Sequence, residues 1–200
     1  MGAVVTLLIL GLAIFLGTHS FSMARGRRAA LIAKIGDGPY KGLYSLVSLV
    51  GIVLIVIGYG EYRAGGYIPV WDPPVWTRHL ALLLVWIAFI LFYAAYAPGH
   101  IKARLKHPML AGVKIWAFAH LLANGDLGSI LLFGSILVWA ILARISVKRR
   151  DVAAQHGGTA APAGWRNDVL AVVVGTAIYL AFVFGLHPWL IGVPVLPMRA

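Results

Sequence analysis

Six stretches of this chain are long enough, apolar enough and poor enough in charge to dictate their surroundings. They run roughly from Val4 to Phe21, Leu43 to Tyr59, His79 to Ala97, Met109 to Ala123, Leu127 to Ile145 and Val169 to Leu190. A helix of about 20 apolar residues crosses the hydrocarbon core of a bilayer. Inside that core the backbone must satisfy its own hydrogen bonds, so only helices and closed barrels can span it. The period-two alternation of a barrel strand is absent. Charged residues make up 12% of the chain, about half the share of a soluble domain. The expected fold is therefore all-α: a polytopic transmembrane helix bundle of about six spans, forming one domain over residues 1–200. No internal repeat is visible, and no span contains a GxxxG pair.

The placement of basic residues orients such a bundle. Arg25, Arg27, Arg28, Lys34 and Lys41 lie between the first and second runs. Lys102, Arg104 and Lys106 lie between the third and fourth, and Arg144, Lys148, Arg149, Arg150 and Arg166 between the fifth and sixth. The alternate side carries only Arg63, Arg78 and Arg199. The positive-inside rule then places both termini outside the cytoplasm. It also requires the fourth run to be a span, although that run is short and is interrupted by Lys114. The net charge of +11 thus faces anionic lipid headgroups, not nucleic acid. The first run lacks a preceding basic segment, which argues for a retained span over a cleaved signal peptide. Asp151 to Gly164, rich in Gly and Ala, is expected to be a flexible loop. The Gly- and Pro-rich segment from Gly65 to Trp76 is expected to be an irregular interfacial loop.

The chain has no cysteine, which excludes disulfides, thiolate-bound metals and thiol catalysis. With carboxylates also scarce, imidazole is the best ligand left, and ionisable groups within spans are functional candidates. His19 ends the first run and His120 sits late in the fourth. His107 opens the fourth run, His79 opens the third and His187 lies late in the sixth; His100 flanks a basic loop and His156 falls in the flexible one. His107 and His120 are 13 residues apart, hence roughly 20 Å on one helix, so they cannot bind one metal together. Facing helices can supply two imidazoles to a metal or a haem, with Trp86, Phe89, Trp116 and Phe118 as candidate lining. Lys114 either snorkels to the interface or meets an anion such as a haem propionate or a lipid phosphate. Arg78 and His79 together suit a lipid headgroup contact, or alternatively a haem propionate or a phosphate. Asn124 and Asp126 suit helix ends. No Walker loop, dinucleotide-binding glycine pattern, serine elbow or HExxH is present.

Three motifs carry a family resemblance: Gly17-Thr18-His19-Ser20 closing the first run, His107-Pro108-Met109-Leu110 opening the fourth, and Trp116 to His120 followed by Asn124-Gly125-Asp126. Over roughly residues 4 to 150 the chain resembles the NnrU family. The resemblance implies a multi-pass protein of the bacterial inner membrane, linked to denitrification through nitrite and nitric oxide reductases. That family is similar in turn to plant zeta-carotene isomerase, which uses haem b for cis–trans isomerisation. By motif the resemblance implies His19 and His120 as the iron ligands, with redox or isomerase activity toward an apolar substrate. This chain has Ala117 where the isomerase pattern has a cysteine, so ligand exchange through a thiolate is not available. Straight helices would separate His19 and His120 by roughly 15 Å in depth, and depth alone pairs His19 with His107, or His120 with His79 or His187.

Three other functions compete. One is a non-enzymatic accessory or transport factor for nitrogen-oxide reductases, needing no cofactor. A second is a transporter, for which no inverted repeat is visible. A third is a methyltransferase, whose membrane forms the basic hairpin ending in His107-Pro108 resembles only weakly.

Overall fold

The computed structural model describes residues 3–153 and 164–196. Nine α-helices follow in order: α1 (Ala3–Phe21), α2 (Arg25–Ile35), α3 (Asp37–Gly65), α4 (Val75–Ala94), α5 (His100–Leu105), α6 (Pro108–Ala123), α7 (Leu127–Ala153), α8 (Trp165–Ala181) and α9 (His187–Ile191). A π-helical turn, Phe182–Leu186, joins α8 to α9. The all-α bundle is as expected. The helices α3, α4, α7 and the continuous unit Trp165–Ile191 are each long and apolar enough to cross a membrane. The first span qualifies together with α2, against which it bends by 87°. The sixth apolar helix, α6, has 16 residues and is about 24 Å long, shorter than a bilayer core of about 30 Å.

Two segments differ from expectation. The basic stretch between the first two runs is helical: α2 turns away at the end of α1, and Gly36, at φ +87°, separates it from α3. No residue of α2 is buried, and its basic side chains suit a helix lying in the interface. Of the stretch from Asp151 to Gly164 expected to be a loop, Asp151 to Ala153 belong to α7. Residues 154–163, with His156, lie outside the described residues, as does Arg199.

The long helices pack in a row. α3 lies on α1, α1 on α7, α7 on α6, α6 on α4 and α4 on α8. The α1–α3 contact is the most extensive, and glycine makes it so. A Cβ on Gly58 would collide with the backbone of Leu7 and Leu8, and one on Gly11 with that of Leu54 and Ile55. In lipid, where apolar surface alone drives no association, such close backbone approach supplies the dispersion contact. A search for GxxxG passes over this seam, because its glycines answer one another across two helices.

Each end of the bundle is tied by hydrogen bonds. At the acid-capped end, the buried Asp126 caps α7 by accepting from Ser129 N at 2.9 Å, and Leu127 N bonds Ile68 O at 2.9 Å. The Ser129 and Tyr59 hydroxyls join at 2.7 Å. The loop from Gly66 to Pro74 is thereby pinned over the Asn124-Gly125-Asp126 turn. At the basic end, the Asp168 carboxylate accepts from the backbone N–H groups of His100 and Ile101, both at 3.0 Å, and from His100 Nδ1 at 2.7 Å. This clamp ties the start of α8 to the start of α5.

Candidate functional site

α1 and α6 make no direct contact among the described residues, yet both lean on α7. His19 comes from α1 and His120 from α6. The His19 ring meets Trp139 of α7 edge-on at 5.7 Å between centroids, with Phe15 at 4.1 Å and Tyr44 at 5.4 Å. The His120 ring stacks on Phe133 of α7 at 4.4 Å and tilts against Trp116 at 4.8 Å. Phe133 and Trp139 are six residues apart, so these anchor points differ by about 9 Å along α7.

Both rings are held in the same way. His19 Nδ1 lies 2.8 Å from Phe15 O, and His120 Nδ1 lies 2.8 Å from Trp116 O, each one helical turn back. A carbonyl only accepts, so Nδ1 carries the proton in both rings. The neutral tautomer this selects leaves the Nε2 lone pair without a partner, as in the outer-shell arrangement that orients metal-binding imidazoles. His187 follows the same pattern, with Nδ1 donating to Val193 O at 2.8 Å. No group of three or more His, Asp or Glu side chains converges among the described residues, but axial ligation of a haem needs only two imidazoles.

Two buried donors on α7 were not anticipated from sequence. Trp139 Nε1 and one guanidinium nitrogen of Arg144 are buried with no hydrogen-bond partner. Buried donors are rarely left unpaired. Their location in the fifth apolar run is the only signal the sequence offers for them. The chemistry of these groups is of the kind a haem uses: two free Nε2 lone pairs with aromatic neighbours, and an indole and a guanidinium that lack acceptors of the kind a propionate supplies.

The other predicted residues are dispersed. His107 occupies the N-cap position of α6, with Pro108 in the first turn, so α6 carries both His107 and His120 at opposite ends. Lys114 is half-buried in the middle of α6. His79 is exposed at the start of α4. Arg78 lines a separate cleft of about 520 Å³ with Tyr67, Trp71, Asp72 and Asn124. Asn124 also links this cleft to the site, because its side chain donates to His120 O at 2.8 Å. Three of the expected lining residues lie elsewhere. Phe118 is 47% exposed on the outside of α6, and Trp86 donates to Thr176 Oγ1 at 2.8 Å in the α4–α8 contact. Phe89 packs with Phe92, Tyr179 and Phe182, leaving Trp116 as the one of the four beside a candidate ligand.

A family model described as NnrU protein matches residues 7–195. No curated protein and no solved structure matches the chain.

Proposed function

Because the chain belongs to the NnrU family, we propose that it is a haem b-binding protein of the bacterial inner membrane serving nitrite and nitric oxide metabolism. The observation that carries the proposal is the matched pair of imidazoles on α1 and α6. Each is packed on α7 and fixed through Nδ1, with Nε2 free. His19 and His120 would hold the iron. Trp139 and Arg144 would donate to the acidic edge of the macrocycle, and Phe133 and Trp116 would exclude water. Haem bound there supplies redox chemistry or a polarising iron for isomerisation of an apolar substrate. The chain itself sets the tautomer of both ligands before any metal arrives, and it keeps them on separate helices. The basic loops would face the cytoplasm.

The test is the absorbance spectrum of full-length protein purified in detergent, with haem supplied during expression. A Soret band is expected in the wild type and should be lost in His19→Ala and in His120→Ala. Colourless protein that cannot be reconstituted with haem, yet co-purifies with a nitrogen-oxide reductase, would replace this reading with the accessory one.

A further inference from the structure

At the basic end of the bundle, where α1 breaks into α2 and α3 begins, lies a cavity of about 280 Å³ lined by Ser22, Arg28, Tyr40, Lys41, Tyr44 and Ser45. Every polar side chain in this lining can donate a hydrogen bond, and no carboxylate is among them. Tyr40 is only 6% exposed, and its hydroxyl is buried without a partner. The Arg28 guanidinium carbon sits 5.4 Å from the centre of the Tyr40 ring. That cation–π contact fixes the side chain, while its N–H groups find no acceptor among the described residues. Ser45 likewise has no partner. Ser22 donates to His19 O at 2.6 Å. Lys41 pairs with Asp37 at 2.6 Å, and both are exposed, so the single neighbouring carboxylate is directed to Lys41 and not to Arg28.

A buried hydroxyl beside a guanidinium, both without a protein acceptor, suits an oxyanion, which accepts from both with charge assistance. The surroundings indicate what carries it. From Ser45, Leu49, Ile52 and Val56 follow at spacings of four, seven and eleven residues along one stripe of α3, and all three are exposed. An acyl chain can lie along this stripe while its headgroup enters the cavity. The cavity is smaller than the roughly 300–1,000 Å³ typical of sites for drug-sized ligands, in keeping with a headgroup. We propose that this cavity binds the phosphate of a membrane phospholipid, with Tyr40 and Arg28 as its direct donors and α3 as the bed for its acyl chain. The proposal does not rest on the haem reading, since the cavity lies at the α1–α2–α3 junction and neither Nε2 is needed for it.

The experiment uses delipidated full-length protein in detergent, with thermal unfolding and native mass spectrometry on addition of phosphatidylglycerol, or of inorganic phosphate alone. Phosphatidylglycerol should remain bound and raise the unfolding midpoint, and Arg28→Gln should weaken its binding about tenfold, the typical effect of losing one charge-assisted hydrogen bond. Tyr40→Phe separates binding from folding. It removes an orphaned hydroxyl, so it should leave the lipid-free midpoint unchanged or raised while shrinking the lipid-induced rise. Binding of inorganic phosphate with the same sensitivity to Arg28→Gln and Tyr40→Phe, and no gain from the acyl chains, would overturn the lipid assignment in favour of a free phosphate site. Equal lipid binding by wild type and both variants, or no binding by any, would overturn the site itself.

Discussion

The α1–α3 seam and the histidine-bearing side of α7 are built on opposite plans. In the seam, Gly11 and Gly58 let two backbones meet with no room for even a Cβ. On α7, bulky rings meet the histidines of α1 and α6, and Trp139 and Arg144 keep donors that no group among the described residues satisfies. A membrane bundle gains its contacts from close packing, so a wall of aromatic rings with unpaired donors is poor design for stability alone. It is a sensible design for a region completed by another molecule. The seam packs backbone on backbone, and α7 carries the rings against which the two imidazoles rest.

Substitutions on the two sides should therefore separate binding from stability. The largest effect is expected on α7, where His120→Ala should abolish haem absorbance altogether. Exogenous imidazole should partly restore it by occupying the vacated axial position, and rescue of the spectrum is the measurement. In the seam, Gly58→Leu should destabilise the fold by about 3 kcal/mol through overpacking. That corresponds to a fall on the order of 10 °C in the thermal midpoint. If the same variant, once refolded, also lost all haem binding, the division between scaffold and site would be wrong. A smaller loss, about 1 kcal/mol, is expected for Asp126→Ala, which removes the cap of α7. Thermal unfolding checks it, and faster amide exchange at Ser129 locates it. The smallest effect belongs to Asp168→Asn at the exposed clamp. Amide exchange at His100 and Ile101 should speed up while the midpoint stays put.

The α7 surface also shows how far sequence reading reaches. His19 and His120 were identifiable as candidates because imidazole in an apolar run is costly and these two fall in recognisable motifs. Their common support was not legible. Neither histidine lies near Phe133 or Trp139 in sequence. Phe118 and Trp86 were plausible lining by composition, but helix rotation turned one outward and set the other against Thr176. The clamp at Asp168 gave no signal at all, because one aspartate beginning a helix looks the same whether it meets solvent or the N–H groups of a distant turn. Of the two turn residues, Asn124 and Asp126, the helix-end role follows from local chemistry and is present in the structure.

Medium and secondary structure were decided by the chain itself: runs of apolar residues poor in charge can only be helices in lipid, because the backbone there has no other hydrogen-bond partner. Basic residues at the ends of those runs set which ends belong together. Which helix leans on which, and so which imidazoles share a neighbour, depended on rotations and close approaches that no single run encodes. Contacts such as Gly58 on Leu8 or His120 on Phe133 exist only when two distant segments are side by side, and their energies arise at that distance and nowhere earlier.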